Sequence, residues 1–462
     1  VPNEAADRLL QKAQKDPSLL ETPEAARFRQ RLPDAQSSAY AGRHDVLDPH
    51  ALKEFWIHLT DRCNLSCAHC LFASSPSQAR ELSAERALEA VRQAYGLGCR
   101  LFALSGGEPF VHRDFPHIVH EILRLPDTHV VVLTNGLAAR AALEKQRWSP
   151  DRLHLQVSLD GLEERHDAVR GKGTFSRTVR ELQTLSRLGF SFTLSLCPTR
   201  SNLADVPHLP DLAKNLGASN LHFMWYFVRG RGVPQEFVPP DELFEAVRCA
   251  AERAEDLGLS VDNVQALASQ VFSPPGTRYD GSAMAWESLA LGPDENLYPS
   301  AALVGLPELA VPWPHGLERA WKESLVFKQI RRETAARLQH PLRFLLGGGD
   351  PDHSYLAAGR FLGADPYMDL SQNLALWLIT RRAAESVFTD RPALRLKMGD
   401  VLESCGSGHG GVSFTHSNCL LAVASPSSLS VVRDFYAEAA LHPKVDILNP
   451  VAYPEEWMAH IP

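Results

Sequence analysis

The sequence predicts an α/β fold, and three observations lead to this prediction. Between residues 53 and 232, short apolar runs of strand length alternate with stretches whose apolar residues recur at helical spacing. The alternation is evenly spaced, which fits six parallel strands that close into a barrel or part of one. The composition is that of a globular protein, because 44% of the 462 residues are hydrophobic and 22% are charged.

The elements follow one another from the first strand onward. A strand-like run at 55–59 precedes a helix predicted at 83–97, which ends at Gly98. Further strands are predicted at 101–104, 130–133, 153–159, 192–196 and 221–227, and further helices at 137–146, 175–188 and 204–216. We therefore expect a partial (β/α)6 TIM-like barrel, with functional groups at the carboxyl ends of its strands.

The pattern divides the chain into three regions. Residues 1–50 are interpreted as an N-terminal helical extension, residues 51–235 as the partial barrel, and residues 236–462 as a mixed α+β C-terminal domain with an extension. Within the last region the sequence predicts helices at 241–257, 369–388 and 431–441, a hairpin at 289–298, a loop at 347–353, and a loop with short strands at 405–419.

Charge and hydropathy narrow the function classes. The net charge of −8 argues against nucleic acid as the main partner, because phosphate binding usually needs a basic face. No apolar run approaches the ~18 residues of a transmembrane helix, and residues 1–10 lack the apolar core of a signal peptide. We therefore expect a cytoplasmic protein that does not bind a membrane.

The eight cysteines are distributed unevenly. Three lie within eight positions, at Cys63, Cys67 and Cys70, and the other five are scattered. A secreted disulfide framework would be denser and would occupy a smaller chain. The trio therefore indicates a metal or cluster site in a reducing compartment.

The spacing of the trio is C-x3-C-x2-C, directly after the first predicted strand. Three thiolates on one short loop can hold three irons of a [4Fe–4S] cluster and leave the fourth iron open to a substrate or cofactor. The alternative is a zinc site, which would need a fourth ligand such as His69.

Three more motifs follow strands two, three and four, each at a carboxyl end and in chain order. They are Ser105-Gly-Gly-Glu-Pro109, then Thr134-Asn-Gly136, then Ser158-Leu-Asp-Gly161 with His166, Asp167 and residues 170–175. Together with the cysteine motif they resemble the radical S-adenosylmethionine (SAM) superfamily, and within it the peptide- and protein-modifying SPASM/twitch branch.

The resemblance implies a SAM site on these loops. It implies that Cys63, Cys67 and Cys70 bind the cluster, that Gly106 and Gly107 admit the methionyl amine, and that Glu108 accepts its hydrogen bond. It also implies that Arg170 and Ser158 hold the methionyl carboxylate and that His69 flanks the adenine. Asn135 and Asp160 are assigned to the ribose, with turn formation as an equal alternative.

The implied chemistry is radical chemistry with one [4Fe–4S] cluster and SAM as cofactors. One electron, from a reductant such as flavodoxin or ferredoxin, cleaves SAM to methionine and a 5′-deoxyadenosyl radical. That radical abstracts a hydrogen atom from the substrate, while the protein positions the substrate and excludes water.

The resemblance breaks in the C-terminal domain. Related enzymes carry auxiliary clusters there, but Ser300 stands where a Tyr-Pro-Cys hairpin would end, and neither residues 280–284 nor 342–349 contain cysteine. Serine and leucine do not replace thiolates as soft ligands. We therefore interpret this region as a degenerate SPASM/twitch domain without auxiliary clusters. This favours redox-neutral outcomes such as epimerisation, rearrangement or elimination.

Two groups are candidate catalytic residues. Cys405 and Cys419 are candidate hydrogen-atom donors, because the S–H bond is weak, with buried inert cysteines as the alternative. His353 and Asp350, in a glycine-rich loop, are candidate acid, base or ligand groups, with a hydrogen-bonded loop histidine as the alternative. A mononuclear metal site formed by His409, His416, Cys405 and Cys419 is a further alternative.

The leading hypothesis is a radical SAM enzyme that modifies a peptide or protein. One alternative is a radical SAM enzyme acting on a small molecule, such as a sugar or an amino-acid-derived metabolite. The other is a non-catalytic, cluster-binding maturation scaffold, which the presence of Cys63, Cys67, Cys70, Glu108 and Arg170 disfavours.

Overall fold

The computed structural model describes residues 40–273 and 277–387, Thr22, and five short strands at 396–398, 401–403, 412–414, 421–423 and 442–444. Residues Gly42–Pro462 form one compact unit, and Val1–Ala41 form another. Most of the predicted N-terminal helical extension and the helix predicted at 431–441 lie outside the described residues.

The core of the larger unit is a sheet that begins with six parallel strands. They are β1 (Glu54–His58), β2 (Leu101–Ser105), β3 (His129–Thr134), β4 (Leu153–Ser158), β5 (Phe192–Leu196) and β6 (Asn220–Phe223). Each pairs with the next, for example Phe55 with Phe102 and Val131 with His154. The predicted α/β fold is confirmed. Because β6 remains at one edge of the sheet, the strands form an open partial barrel.

Helices between these strands cover the sheet. They are α1 (Ala84–Gly96), α2 (Phe115–Arg124), α3 (Ala139–Gln146), α4 (Glu163–Arg170), α5 (Thr174–Arg187) and α6 (Leu209–Leu216). In α1, Ser83 caps the first turn by accepting a hydrogen bond from Arg86 N, and Ala87, Ala90 and Val91 are buried. This single apolar stripe explains why the helix packs on the sheet instead of standing free in solvent.

The sixth strand ends earlier than predicted. The prediction of a strand at 221–227 is wrong beyond Phe223. The Asn263 side chain accepts a hydrogen bond from Phe223 N at 2.7 Å and donates one to Phe223 O at 3.0 Å. Because this amide satisfies the backbone groups of Phe223, residues 224–232 leave the sheet as a loop.

After β6 come α7 (Pro240–Asp256), α8 (Asp262–Val271), β7 (Thr277–Tyr279), β8 (Ser288–Leu291) and β9 (Leu297–Tyr298). β8 and β9 form the predicted antiparallel hairpin. The sequence did not indicate that β8 also pairs in parallel with β1, with Ser288 opposite Glu54. The sheet therefore has eight strands, in the order β6-β5-β4-β3-β2-β1-β8-β9.

Four helices follow in the described range 277–387. They are α9 (Leu317–Glu323), α10 (Leu325–Arg331), α11 (Pro351–Ala358) and α12 (Met368–Val387). The long helix predicted at 369–388 is confirmed as α12. The loop predicted at 347–353 is wrong in its second half, because α11 begins at Pro351 with Asp350 as its N-cap. Among the described residues, none of the helices combines the length and the apolar character needed to span a membrane.

The five short strands are β10 (Leu396–Met398), β11 (Val401–Glu403), β12 (Val412–Phe414), β13 (Leu421–Val423) and β14 (His442–Lys444). β10 pairs with β11 and β12 with β13, both antiparallel, and β14 pairs in parallel with β7. Cys405 and Cys419, the predicted hydrogen donors, lie outside the described residues, as do His409 and His416.

Candidate active site

The candidate site lies where parallel strands end. The loops after β1, β2, β3 and β4 carry the four motifs. Because the carboxyl ends of parallel strands meet at one edge of the sheet, the motifs are brought together there. The fold thus positions residues that are up to about 110 positions apart in the chain, from Cys63 to Arg170.

The loop after β1 carries the three cysteines. Cys63 N donates to Ser75 O at 3.1 Å, and Ala68 N donates to Val169 O at 2.9 Å, so both halves of the loop are held by backbone hydrogen bonds. Cys63 and Cys67 are buried, and Cys70 is partly exposed. All three thiols lie within electrostatic range of one another.

Burial dominates the acid–base behaviour of two of these thiols. It raises the pKa of Cys63 to about 12 and also raises the pKa of Cys67, although Arg170 opposes it at Cys67. Only thiolates bind iron or zinc, so loading of the site must release protons. In the part of the chain that the structure describes, no group of three His, Cys, Asp or Glu side chains converges on a single metal ion.

His69 does not face the cysteines through its Nε2 atom. That atom lies 3.0 Å from Asp160 Oδ2, whereas Nδ1 is buried without a hydrogen-bond partner in the described structure. The zinc alternative needs a fourth ligand such as His69, for which only Nδ1 is available while Nε2 lies on Asp160. Since no three ligand side chains converge on one ion in the described residues, the arrangement fits a cluster better than one tetrahedral ion.

The loop after β2 packs directly on the cysteine loop. Gly107 N donates to Thr60 O at 2.7 Å, and Glu108 N donates to Arg62 O at 3.1 Å. A Cβ atom on Gly107 would lie 2.3 Å from Arg62 O, and one on Gly106 would lie 2.5 Å from Thr60 O. Both glycines are therefore required by the close approach of two backbones. Access for the SAM amine remains a separate expectation.

Glu108 is completely buried and connects two motifs. Its carboxylate accepts hydrogen bonds from Thr134 Oγ1 and Asn135 N, both at 2.8 Å, and from Phe110 N at 3.2 Å. Burial raises the pKa of Glu108 to about 7, and these hydrogen bonds limit the rise. With three of its acceptor positions used by the protein, the carboxylate retains capacity for one more donor.

Asn135 combines the two roles that the sequence left open. Its Oδ1 accepts from Leu137 N at 3.1 Å, which is a turn interaction. Its Nδ2 donates to Asn64 Oδ1 at 2.7 Å and lies 3.9 Å from Cys63 Sγ. The side chain thus ties the turn after β3 to the cysteine loop, and a contact with ribose stays a prediction.

Asp160 is the central acidic group of the site. It is fully buried, and its Oδ2 atom accepts from Arg170 Nε at 2.6 Å while lying 3.0 Å from His69 Nε2. Its Oδ1 atom accepts from Cys197 N at 2.9 Å. Burial alone would raise the pKa of Asp160, but Arg170 and His69 outweigh it and hold the pKa well below its usual range.

Two donors next to Asp160 retain free hydrogen-bonding capacity. Arg170 makes its hydrogen bond to Asp160 through Nε, and within the described residues its two Nη groups have no partner. Ser158, at the end of β4, is half-buried, and its hydroxyl also makes no hydrogen bond there. A fixed guanidinium with two free N–H faces beside a free hydroxyl fits a carboxylate ligand. The residues present therefore fit SAM.

His353 and Asp350 lie in a different environment from the one predicted. Asp350 caps α11 by accepting from His353 N at 3.0 Å. The His353 ring stacks on Phe227 at 3.8 Å between centroids and meets Tyr367 edge-on at 4.9 Å. Burial lowers the pKa of His353 to about 4, so the imidazole is neutral at physiological pH. A catalytic role for these two residues stays a prediction.

Sequence reasoning missed two residues of the site. Cys197 lies directly after β5, where its backbone N–H donates to Asp160 Oδ1. Arg231 lies on the cysteine loop and donates to Cys67 O. The Arg-Gly-Arg-Gly run at 229–232 was the available signal, since glycines between cations indicate a close backbone approach.

Comparisons with known proteins agree with this geometry. Residues 57–213 match the family model of the radical SAM superfamily. The chain is 34% identical over 188 residues to the AdoMet-dependent heme synthase of Methanosarcina barkeri, covering 39% of this chain and 53% of that protein. It is 28% identical over 246 residues to the antilisterial bacteriocin subtilosin biosynthesis protein AlbA of Bacillus subtilis, covering 53% of each.

Among solved structures, anSMEcpe with bound AdoMet and the Cp18Cys peptide superposes with a TM-score of 0.59 at 16% identity, covering 72% of this chain and 99% of that chain. This likeness shows a shared fold. The chain spans about half the length of the two curated relatives described above. The chain therefore carries a radical SAM domain at residues 57–213, a domain whose cofactors are a [4Fe–4S] cluster and SAM.

Proposed function

We propose that this protein is a radical SAM enzyme that abstracts a hydrogen atom from a peptide or protein substrate and modifies it without net oxidation. The observation that carries the proposal is the pair formed by Asp160 and Arg170 beside the cysteine loop. It presents a fixed cation with free donors next to three clustered thiols. When bound, the cluster and SAM would supply a 5′-deoxyadenosyl radical.

The protein's own residues have separable tasks in this proposal. Cys63, Cys67 and Cys70 hold the cluster. Arg170, oriented by Asp160, and Ser158 bind the carboxylate of SAM, and Glu108 accepts from its amine. The buried strand ends around them exclude water, which strengthens each electrostatic contact and protects a reactive radical.

A peptide substrate is supported by curated relatives whose names refer to peptide products, such as the subtilosin biosynthesis protein AlbA. The small-molecule alternative is supported by the heme synthase, which is 34% identical over 188 residues. We favour the peptide, since the AlbA match extends over 53% of this chain against 39% for the heme synthase. A reductant such as flavodoxin or ferredoxin and a cytoplasmic location remain predictions that follow from the cluster.

The redox-neutral part of the proposal rests on residues 236–387. This stretch contains one cysteine, Cys249 on α7. Ser300 is hydrogen-bonded to Asp352 on α11, so a protein contact occupies the end of the β9 hairpin. A second cluster could accept an electron from the substrate radical. Without one, an outcome in which the radical is quenched without net oxidation of the substrate is favoured. The division into domains at residues 50 and 235 also stays a proposal.

SAM cleavage tests the proposal. Protein reconstituted without oxygen and reduced with dithionite should convert SAM to methionine and 5′-deoxyadenosine, measured by chromatography. Arg170→Met should reduce this rate about 10- to 100-fold, because a charge-assisted hydrogen bond contributes about 1.5–3 kcal/mol. Ser158→Ala, which leaves the buried Asp160–Arg170 pair intact, should cause a smaller loss.

The matched control is Arg165→Met on the same helix α4. Arg165 binds Asp205 and Ser201 O, away from the cysteines, so its loss should leave the rate unchanged. If wild type carries a cluster but forms no 5′-deoxyadenosine, the maturation-scaffold alternative gains. Incubation with peptides encoded beside this gene in deuterium oxide, followed by mass spectrometry, then tests the substrate class, since epimerisation through an exchangeable hydrogen donor adds a deuterium that unmodified peptide lacks.

A further inference from the structure

The segment at residues 229–232 lies on the cysteine loop and makes three hydrogen bonds with it. Arg231 N donates to Cys70 O at 3.0 Å. The Arg231 guanidinium donates through Nε to Cys67 O at 2.7 Å and through Nη2 to Ser74 O at 2.8 Å. One side chain thus holds the loop on both sides of its last cysteine.

The neighbouring residues hold Arg231 in this position. Gly230 has φ +66, and a Cβ atom there would lie 2.4 Å from both Cys70 O and Leu71 O, so the segment sits as close to the loop as glycine permits. Arg229 donates through Nη2 to Val304 O at 2.8 Å and also binds Ala302 O. The segment is therefore attached to the cysteine loop on one side and to residues 302–304 on the other.

Arg231 differs from the other arginines near the cysteines, because those arginines form ion pairs with carboxylates. Arg62 pairs with Glu81 at 2.7 Å, Arg80 with Asp61 at 2.8 Å, and Arg170 with Asp160 at 2.6 Å. In the described structure the side-chain partners of Arg231 are two carbonyl oxygens, and it forms no ion pair. A full positive charge therefore lies beside Cys67 without a neutralising carboxylate.

A cation in this place acts on any charge held by the thiols. The Arg231 guanidinium donates to the carbonyl oxygen of Cys67 at 2.7 Å, so its charge lies next to a residue that would bind the cluster. One-electron reduction of that cluster adds a negative charge, which a nearby cation stabilises. Net charge and hydrogen bonding around a cluster are the main determinants of its reduction potential.

We propose that Arg231 is a positioning residue that fixes the cysteine loop and, through its unpaired charge, raises the reduction potential of the cluster bound there. This inference rests on the proposed function, since it needs a cluster on Cys63, Cys67 and Cys70. It adds a specific task for a residue outside the motifs: to make the one-electron reduction of the cluster easier.

A potentiometric titration without SAM, followed by electron paramagnetic resonance of the reduced cluster, tests the inference independently of activity. Arg231→Gln removes the charge and retains one amide donor, whereas Arg231→Lys retains the charge. Arg231→Gln should shift the midpoint potential to a more negative value, and Arg231→Lys should stay close to wild type. Arg113→Gln removes the same charge from an 86% exposed side chain, so solvent screening should leave the potential unchanged.

Each outcome decides the matter. The signal reports only protein that holds a cluster, so incomplete loading of Arg231→Gln leaves its midpoint measurable. A midpoint equal to wild type in Arg231→Gln overturns the inference. Complete loss of the cluster from Arg231→Gln, whether or not Arg231→Lys retains it, overturns the effect on the potential and leaves only the role of Arg231 in holding the loop.

The two proposals fail in distinguishable ways. A wild-type protein that binds iron and cleaves SAM, with no shift in Arg231→Gln, removes the inference alone. A wild-type protein that binds iron and shows the shift but does not cleave SAM removes the proposed function alone. A wild-type protein without iron removes both.

Discussion

A single buried carboxylate, Asp160, organises the part of the site where we propose that SAM binds. It binds Arg170, faces His69 and accepts from Cys197 N, so groups from two loops and one helix meet at two oxygens. A buried ion pair of this kind adds little net stability, because desolvation offsets the attraction. Its value lies in orientation, since Arg170 is held through Nε and keeps its remaining donors available.

Asp365 allows a prediction about pH at the residue scale. It is 8% exposed, and its carboxylate accepts from Asp350 N at 2.9 Å and Tyr367 N at 2.8 Å. Burial, with the nearby Asp350 charge, raises the pKa of Asp365 to about 7 from an unfolded value of 3.8. The folded state therefore binds this proton more tightly. The stabilisation is complete below pH ~4 and is lost as the pH rises through about 7.

The loss of stability on deprotonation of Asp365 should appear in urea unfolding between pH 5 and 8, when wild type is compared with Asp365→Asn. The free energy of unfolding of wild type, relative to the variant, should fall by a few kcal/mol as the pH rises, since one pKa unit corresponds to about 1.4 kcal/mol. Asp369→Asn, on the exposed side of α12, should not change the pH dependence. A constant difference between wild type and Asp365→Asn across this range would contradict the assignment.

At the scale of elements, the cysteine loop is held by three neighbours in addition to its internal backbone hydrogen bonds. The loop after β2 holds it through Gly107 N and Thr60 O, α4 through Val169 O and Ala68 N, and the 229–232 segment through Arg231. Each of these contacts uses backbone groups of the loop. The spacing of the cysteines is therefore productive only when all three neighbours are in place.

Gly107→Ala tests this dependence on close packing. Its Cβ atom would lie 2.3 Å from Arg62 O, so the two loops must separate, at a cost of about 1–3 kcal/mol typical of overpacking. We expect the variant to incorporate less than about half the iron of wild type on anaerobic reconstitution, because the loop that bears the cysteines is displaced.

Gly96→Ala provides the matched control. Gly96 ends α1, and a Cβ atom there meets nothing within 4 Å. Alanine in a helix is favoured over glycine by up to about 1 kcal/mol, so this variant should be as stable as wild type or more stable and should load iron normally. Equal iron content in Gly107→Ala and Gly96→Ala would contradict the prediction that iron binding depends on close packing of the two loops.

At the scale of the whole molecule, the C-terminal half is built into the same sheet as the barrel. β8 pairs with β1, and Arg229 connects the loop after β6 to residues 302–304. α12 packs on α7 and α8. The C-terminal half is thus part of the same framework, and Ser300, which stands where the resemblance places a cysteine in related enzymes, is hydrogen-bonded to Asp352.

Iron analysis of the whole chain follows from this arrangement. Anaerobically reconstituted wild type should bind about four irons, and the Cys63/Cys67/Cys70→Ala triple variant should bind none, because one [4Fe–4S] cluster needs these thiolates. Cys99→Ala is the control, since Cys99 is fully buried at the start of β2, away from the site. About eight irons in wild type, with about four kept by the triple variant, would contradict the one-cluster prediction.

The sequence predicted much of the fold because its signals were local. Continuous apolar runs predicted the strands near Phe55, Phe102 and Val131, and apolar residues recurring at helical spacing over a long stretch predicted α12. The failures were non-local in origin. β6 ended early because Asn263, about 40 residues further on, satisfies Phe223, and no pattern near Phe223 indicates that.

What the sequence by itself determined was the set of motifs and their order after successive strands, because covalent spacing and periodicity are written along the chain. What only the tertiary structure decided was which side chains contact each other across the site. The structure revealed that Asp160 holds Arg170, that Gly107 serves the cysteine loop, and that Arg231 brings an unpaired charge to Cys67. These contacts join residues up to about 160 positions apart. Their energies depend on distance and burial, which exist only once the chain has folded.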